Sequence, residues 1–347
     1  MNGREIWQTS NLNAIEQRLD KVRSARPGCF FVQQSGNQYI KVTKTKSTIT
    51  LGFSDSFNSP ANLVQSELDC DRPLNLKSLY TQAMMLSLVW NSTPQRIYIA
   101  GLGGGIIPLV LHHYFPEAVI ECAEIDPAIL QVATNFFGLK LDERLSVAIQ
   151  DGREYLAQQN ANIKYDIILS DVFLGTGYSP YRLATQEFYE LCLQRLSGQG
   201  VVVVNLFQDD AFFADKLLTI KSVFEQVYVV LSSKMGNAIV IANNGDIRQK
   251  REVMAKAKNL ANRYQFEFPL AERALEVKMG TQLQEYVPKL EKARVLLDDF
   301  PPSDYFGNLP AVNPAIARTG GSRFCMCGSG KLQNDCHGQT NLKIIST

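Results

Sequence analysis

The sequence predicts a doubly wound α/β domain, in which helices cover both faces of a mostly parallel sheet. From residue 96 onward, short apolar runs alternate with helical stretches, an order typical of repeated β-α units. The candidate strands are 96–100, 118–124, 145–150, 165–171 and 200–206, and the candidate helices are 107–114, 127–137, 153–158, 185–196 and 210–224. Two further strands are expected at 226–231 and 237–242. The connection between them is too short for a parallel crossover, so they should pair antiparallel.

Two further regions flank this domain, which itself carries additions at both ends. Residues 1–73 contain strand-like runs at 29–34, 38–43, 47–52 and 63–68, which predict a small antiparallel β-domain. The large domain is expected to span 74–310. It would open with one amphipathic helix at 74–90 and include a mainly helical extension at 246–300. A loop rich in Pro, Asn and Gly then leads to a cysteine-rich segment at 318–341.

Composition narrows the class of protein. The chain has 347 residues, of which 45% are hydrophobic, and its formal net charge is +1. A balanced charge argues against a general binder of nucleic acid or membrane surfaces. Without a secretory signal or a bilayer-spanning apolar run, a cytoplasmic protein is expected. Four of the seven cysteines are expected to pack as small apolar side chains: Cys29, Cys70, Cys122 and Cys192.

A glycine turn follows the first strand of the large domain. The run RIYIA leads into GLGGG at 101–105, where glycine lets the backbone bend sharply and approach a ligand closely. The next strand ends in Glu124 and Asp126, spaced to accept hydrogen bonds from ribose hydroxyls. A third glycine would favour NAD, but that position is Ile106, so a cofactor without pyrophosphate is preferred. A tight strand-to-helix turn and a solvated acidic pair are the alternatives.

Several ordered motifs resemble one enzyme family. GLGGG, AEIDPAILQVATNFFGL, DGREYL and YDIILSDVF are similar to the spermidine-synthase-like branch of class I S-adenosylmethionine-dependent enzymes. The segments LVQSELDCDRPLNLKSLYTQAMM and ARVLLDDFPPSDYF also resemble parts of that family, the second a segment that closes the domain in some relatives. The resemblance covers roughly residues 29–305. It implies a seven-stranded Rossmann-like methyltransferase sheet and S-adenosylmethionine, or its decarboxylated form, as cofactor.

The resemblance also implies roles for particular residues. Glu124 would hold the ribose hydroxyls, Asp151 the adenine amino group, and Asp171 would face the reacting centre. Each follows a strand at its carboxyl end, where α/β sheets bind their ligands. A helix cap for Asp151 and a solvated loop carboxylate for Asp171 remain open alternatives. The residues expected at the cofactor are Gly101, Gly103, Gly105, Glu124, Asp126, Asp151 and Gly152.

The reaction is predicted less sharply than the cofactor. Aminopropyltransferases carry motifs that resemble GGGDGG at the glycine turn and DSSDP after the fourth strand. This chain lacks the acidic residue of the GGGDGG motif and the second acidic residue of the DSSDP motif. A diamine carries two positive charges that carboxylates should balance. Methyl transfer to a nitrogen nucleophile, possibly on a protein, is therefore preferred. The alternatives are aminopropyl transfer to putrescine and a non-catalytic nucleoside-binding protein. Because relatives often dimerise, a homodimer is also expected.

The cysteine-rich segment predicts a metal site. Its spacing, C-x-C-x8-C-H, supplies three thiolates and one imidazole, a tetrahedral set that suits structural Zn²⁺. The run resembles the SEC-C motif, which implies a protein or ribosome-associated partner and mildly favours a macromolecular acceptor. The predicted ligands are Cys325, Cys327, Cys336 and His337.

Overall fold

The computed structural model describes residues 3–36, 38–61, 63–173, 179–231, 236–302 and 305. Two sheets organise this part of the chain: a four-stranded sheet near the N-terminus and a larger sheet of eight strands. The α/β architecture and the small N-terminal antiparallel sheet are both confirmed. None of the helices in the described ranges combines the length and the apolar character that a membrane span requires.

The N-terminal sheet is a simple antiparallel meander. Its strands are β1 Gly28–Ser35, β2 Gln38–Thr45, β3 Thr48–Ser54 and β4 Leu63–Asp69. They pair in sequence order, so β1 and β4 form the two edges. Ile49 and Leu51 on β3, two residues apart and on one face, are fully buried, as period-2 alternation requires.

A long N-terminal helix precedes this sheet, which the sequence analysis did not predict. Helix α1 spans Gly3–Ser24 and buries Ile15, Leu19 and Val22, which recur at helical spacing on one face. Its Arg18 Nε donates to the Gly138 carbonyl oxygen at 2.7 Å, in the large domain. Residues 1–73 therefore hold a helix as well as strands, and that helix packs against the α/β domain.

The large sheet has five parallel strands followed by an antiparallel edge. Its strands are β5 Arg96–Ala100, β6 Val119–Glu124, β7 Leu145–Ile149, β8 Tyr165–Ser170, β9 Leu196–Phe207, β10 Gln226–Leu231, β11 Asn237–Asn243 and β12 Val277–Met279. They lie in the order β12-β10-β11-β9-β8-β5-β6-β7. The expected antiparallel pairing of β10 with β11 is confirmed. The predicted count of seven strands was one short, because β12 has only three residues and lies in a region expected to be mainly helical.

Helices cover both faces of this sheet. They are α2 Leu79–Met84, α3 Ser87–Trp90, α4 Ile106–Tyr114, α5 Pro127–Phe136, α6 Gly152–Gln158, α7 Gln186–Arg195, α8 Phe213–Val223, α9 Lys250–Tyr264, α10 Leu270–Leu275 and α11 Leu283–Tyr286. The prediction of a single helix at 74–90 was wrong, because this region forms two short helices, α2 and α3. Leu86 N–H bonds to Ala83 O and Leu88 N–H to Met85 O, three residues back, and this tight turn separates α2 from α3.

Residues 293–302, termed the closing segment, run across helices α6, α7 and α8. The Arg153 guanidinium on α6 donates one hydrogen bond to each carboxylate oxygen of Asp298, at 2.7 Å to Oδ1 and 2.6 Å to Oδ2. Leu296 N–H donates to Thr219 Oγ1 on α8, and Leu296 O accepts from Gln186 N–H on α7. The closing segment thus ties α6, α7 and α8 together, as its resemblance to a domain-closing segment implies.

The cysteines divide differently from the expectation. Cys70, Cys122 and Cys192 are free and buried, but Cys29 is exposed on the edge strand β1, so its predicted apolar packing was wrong. The predicted zinc ligands Cys325, Cys327, Cys336 and His337 lie outside the described residues, and zinc binding stays a prediction. Within the described ranges, no cluster of three or more His, Cys, Asp or Glu side chains is arranged to hold a metal.

Candidate active site

A cavity of about 530 Å³ opens at the carboxyl ends of β5, β6 and β8. This edge is where parallel sheets of doubly wound domains bind ligands. Strands β3 and β4 of the N-terminal sheet form the opposite wall, with Leu51, Phe53 and Ser66 among the lining residues. The cavity therefore lies between the two sheets, and both contribute side chains to it.

The glycine turn forms the floor of the cavity. Gly101, Gly103 and Gly105 all have positive φ, in the region that side chains rarely adopt. A side chain on Gly101 would collide with the carbonyl oxygen of Asp171. On Gly103, Gly104 and Gly105, a Cβ would lie 2.7 Å from Ser66 Oγ, 2.8 Å from Phe137 Cδ1 and 2.9 Å from Leu139 Cδ2, respectively. Gly101 and Gly103 line the cavity, whereas Gly105 caps α4, so these glycines also serve packing.

Glu124 lies at the end of β6 and faces the turn. Its Oε2 accepts from Leu102 N–H and its Oε1 from Asp126 N–H, both at 3.0 Å. A carboxylate offers about four acceptor sites, so each oxygen can still accept from a ligand hydroxyl. Burial raises the pKa of Glu124, and the two backbone hydrogen bonds oppose that rise.

Asp126 has two protein partners as well as a place in the cavity wall. Its Oδ1 accepts from Ala128 N–H at 2.8 Å and caps helix α5. Its Oδ2 accepts a hydrogen bond from the Ser35 hydroxyl on β1. Ser66 on β4 makes a parallel link, because its Oγ accepts from Gly104 N–H at 2.8 Å. These two serines fasten the N-terminal sheet onto the predicted cofactor side.

Asp151 caps a helix, which is one of the two roles that the sequence left open, and it also lines the cavity. Its Oδ1 accepts from Arg153 N–H and Glu154 N–H at 2.9 and 3.0 Å, so it caps helix α6. The residue also lines the cavity together with Gly152, and its Oδ2 accepts no hydrogen bond from a described residue. Tyr98 steadies the adjoining turn by donating from its hydroxyl to Gly152 O at 2.6 Å.

Asp171 follows β8 directly beside the glycine turn. Its backbone N–H donates to Ala100 O at 2.9 Å, and its Oδ1 accepts from Asn205 Nδ2 at 2.8 Å. Asn205 Oδ1 in turn accepts from Asn237 Nδ2 at 2.9 Å. Burial raises the pKa of Asp171 to about 6, although the hydrogen bond from Asn205 acts in the opposite direction. Asp171 lines the cavity, and its predicted place at the reacting centre stays a prediction.

The sequence analysis missed several lining residues, among them Glu67 on β4 and Tyr80 on α2. Burial, followed by the charges of Asp171 and Glu67, raises the pKa of Tyr80, whose hydroxyl donates to Gln65 O at 3.1 Å. Both residues fall inside a segment that resembles the family, which was the available signal.

All the charged side chains among the described residues of the cavity wall are acidic. The described lining residues include no Lys, Arg or His. Five carboxylic acids line the cavity: Glu67, Glu124, Asp126, Asp151 and Asp171. Such a wall favours ligands that carry positive charge, because carboxylates with low-dielectric surroundings attract cations strongly.

Comparison with known proteins decides the family. The spermine/spermidine synthase domain matches residues 79–232. A polyamine aminopropyltransferase of Vibrio vulnificus is 31% identical over 228 residues, which cover 65% of this chain and 74% of that enzyme. The chain belongs to the spermine/spermidine synthase family. Another aminopropyltransferase, from Chromobacterium violaceum, is 31% identical over 61% of this chain and 82% of its own length.

A second group of relatives carries out a different transfer. The bovine eEF1A lysine and N-terminal methyltransferase is 37% identical over 146 residues, which cover 40% of this chain and only 21% of that protein. The structure of human methyltransferase-like protein 13 bound to S-adenosylhomocysteine is also similar. It has a TM-score of 0.50 and 29% identity, and the match covers 54% of this chain and 92% of that one. A probable spermidine synthase from Corynebacterium glutamicum shares the fold, with a TM-score of 0.61 over 79% of this chain and 97% of that one, at 16% identity.

The cavity suits the adenosyl cofactor that this family uses. Its volume lies within the roughly 300–1,000 Å³ of small-molecule sites. Glu124 and Asp151 each keep acceptor capacity towards the cavity, which suits ribose hydroxyls and an adenine amino group. The family therefore supports a transferase that binds S-adenosylmethionine or its decarboxylated form.

Proposed function

We propose that this protein transfers a methyl group from S-adenosylmethionine to a nitrogen nucleophile. The observation that carries this choice is the packing around the glycine turn. Positions 103 to 105 carry no carboxylate, and a Cβ on any of them would lie within 3.0 Å of Ser66, Phe137 or Leu139. The acidic residue of the aminopropyltransferase motif therefore has no counterpart at these positions, and a side chain there would require Ser66, Phe137 or Leu139 to move.

Different residues around the cavity would bind different parts of the cofactor. Glu124 would accept from the ribose hydroxyls, Asp151 Oδ2 from the adenine amino group, and the backbone of Gly101 and Gly103 would allow the cofactor's amino-acid end to approach. When bound, the sulfonium cofactor supplies an electrophilic methyl carbon. The protein mainly aligns the nucleophile with that carbon, which accounts for a large part of catalysis in such displacements.

Asp171 would act as the proton acceptor for the attacking amine. A protonated amine must lose a proton before its lone pair can attack the methyl carbon, and the bond from that carbon to the sulfonium sulfur then breaks; a positioned carboxylate can accept the proton. With a pKa of about 6, Asp171 is ionised at neutral pH and remains a stronger base than an ordinary aspartate. Its place beside Gly101, where the cofactor's amino-acid end is proposed to lie, supports this role.

Two measurements test this function. Calorimetry should show tighter binding of S-adenosylmethionine than of its decarboxylated form, and the reverse preference would contradict methyl transfer. Asp171→Asn should lower the rate constant of transfer to the native acceptor by about 100-fold or more, as loss of a general base does, while S-adenosylhomocysteine binds as before. Full activity in Asp171→Asn would remove this residue from the mechanism.

Aminopropyl transfer is a second candidate, because Glu67 supplies a carboxylate that the motifs do not show. With Asp171 it gives the acceptor side two acidic groups near Tyr80, and two carboxylates can balance the two charges of a diamine. Incubation with putrescine and decarboxylated S-adenosylmethionine separates the two functions. Robust spermidine formation would reverse the order proposed here.

We also propose that the C-terminal segment binds one structural zinc ion and contacts a macromolecular partner. The support is the spacing of Cys325, Cys327, Cys336 and His337, which supplies four ligands and leaves no open position for catalysis. Metal analysis should find one zinc per chain, and Cys325→Ser should lose it. Retention of zinc in Cys325→Ser would contradict the ligand set.

A further inference from the structure

We propose that Asn205 and Asn237 are positioning residues that form a directional amide relay, which holds one oxygen of Asp171 and leaves the other for the acceptor. The relay rests on the proposed role of Asp171 as proton acceptor. Neither asparagine belongs to a motif that the sequence analysis assigned to the site. The relay supports the Asp171 carboxylate from β9 and β11, two strands that follow the cofactor motifs in the sequence.

The relay links three strands of the large sheet. Asp171 follows β8, Asn205 lies on β9 and Asn237 opens β11, where it pairs with Phe207. The two hydrogen bonds are 2.8 Å, from Asn205 Nδ2 to Asp171 Oδ1, and 2.9 Å, from Asn237 Nδ2 to Asn205 Oδ1. Asn205 is only 2% exposed, so its amide depends on these protein partners rather than on water.

The direction of the relay follows from the chemistry of its ends. An ionised carboxylate only accepts hydrogen bonds, so Asn205 must present its NH2 group to Asp171. Its carbonyl oxygen then points away and needs a donor, which Asn237 supplies. If Asn205 turned over, its oxygen would face Asp171, and only a protonated Asp171 could satisfy it. The relay therefore favours the ionised carboxylate.

The surroundings make this support necessary. Tyr80 from α2 lies close enough to Asp171 for the two to interact electrostatically, and Glu67, Glu124, Asp126 and Asp151 line the same cavity. No cationic side chain stands among the described lining residues. Neutral N–H donors must therefore offset the cost of burying the Asp171 charge. Since Oδ1 is held by Asn205, Oδ2 is the oxygen left to accept the acceptor's N–H.

A titration measures the relay without knowledge of the acceptor. The full chain carrying ¹³C-labelled aspartate carboxyl groups would be titrated by NMR, and Asp171→Asn identifies the Asp171 resonance. Asn205→Ala should raise the titration midpoint of Asp171 by about one unit, and Asn237→Ala should raise it by a smaller amount. Asn243→Ala is the matched control, because Asn243 is a buried amide at the opposite end of β11 and should leave the midpoint unchanged.

The outcomes separate the relay from the proposed function. Unchanged midpoints in both relay variants would overturn the relay, even with S-adenosylhomocysteine binding intact. Failure of the wild-type protein to bind S-adenosylhomocysteine would instead contradict the transferase. If Asn205→Ala does not fold, Asn237→Ala decides alone, since Asn237 is half-buried and its loss is tolerated more easily. In a transfer assay, the acidic limb of the pH profile should move to higher pH in both variants, with binding of S-adenosylhomocysteine changed less than about twofold.

Discussion

The two halves of the cavity are built in different ways. The half proposed to bind the cofactor, termed the cofactor half, comes from one stretch, Gly101 to Gly152, which follows β5 and contains its parallel neighbours β6 and β7. The half proposed to bind the acceptor, termed the acceptor half, gathers Glu67, Tyr80, Asp171 and the two relay asparagines, which are spread from residue 67 to residue 237. The residues of the cofactor half are therefore close together in the sequence, whereas those of the acceptor half come together only when the chain folds.

This difference offers a physical account of how similar proteins can carry out two reactions. Relatives of this chain are named both as aminopropyltransferases and as methyltransferases, and the family domain matches residues 79–232, which include Gly101 to Gly152. The chemistry of transfer depends on which groups surround the acceptor nitrogen, and those come from separate elements. Variants on each half should therefore affect different ligands, which allows the comparison to be tested.

Among the variants that test this comparison through ligand affinity or stability, the largest effect is expected from Glu124→Gln. Glu124 accepts from Leu102 N–H and Asp126 N–H, and an amide would place its NH2 against one of these donors. A hydrogen bond to a charged group contributes about 1.5–3 kcal/mol, so affinity for S-adenosylhomocysteine should fall roughly 10- to 100-fold by calorimetry.

Glu121→Gln is the control for Glu124→Gln. Glu121 lies on the same strand but pairs with Arg96 at 2.7 Å and does not line the cavity. Its substitution should leave affinity for S-adenosylhomocysteine within about twofold. Equal losses in both variants would mean that β6 as a whole, rather than Glu124, governs binding.

Much of the fold followed from sequence periodicity, and its failures have physical causes. Strand β5 begins and ends where it was predicted, because a buried parallel strand next to a glycine turn is distinct. Strand β12 has three residues, too few for a period to show. Helix α1 buries only Ile15, Leu19 and Val22, so its largely polar sequence gives a weak apolar stripe.

The candidate site was predictable to the same uneven degree. Glu124, Asp151 and Asp171 each end or follow a strand, and all three line the cavity. Glu67 gave no such signal, because the side chain of an N-terminal strand reaches the site only when the two sheets pack together. The relay was equally hidden, since its members lie on strands that become neighbours only in the sheet.

A medium effect is expected from Glu67→Gln, and only on the acceptor half. Glu67 makes no hydrogen bond with any described residue and faces the cavity, so its charge is available to a cationic ligand. Putrescine (1,4-diaminobutane) serves here as a dicationic probe of the acceptor half. In the presence of S-adenosylhomocysteine, affinity for this probe should fall about three- to tenfold, as for the loss of a partly solvated ion pair. Calorimetry with each ligand measures both affinities.

Asp69→Asn controls for a lost charge on the same strand. Asp69 lies two residues further along β4 and accepts from Asp71 N–H, away from the cavity. It should leave both affinities unchanged. A fall in S-adenosylhomocysteine affinity in Glu67→Gln would place Glu67 in the cofactor half and remove the distinction between the halves.

The smallest effect is expected from Asp298→Asn in the closing segment. Burial pushes the pKa of Asp298 upward, but the hydrogen bonds from Arg153 and Thr185 outweigh it and hold the pKa below its usual value. A lowered folded-state pKa contributes stability that is present above the unfolded value near pH 4 and is lost as pH falls through the folded value. The variant's melting temperature should therefore be lower by about 2–4 °C at pH 7, and the gap should close in acid.

Asp299→Asn provides the matched control, because Asp299 is the exposed neighbour of Asp298 on the same segment. It should melt within about 1 °C of the wild-type protein at every pH. Both halves of the cavity should keep their affinities in Asp298→Asn, because Arg153 and Asp298 lie outside the cavity wall. A selective loss of 1,4-diaminobutane binding in that variant would show that the closing segment shapes the acceptor half, and the boundary drawn between the halves would then have to include it.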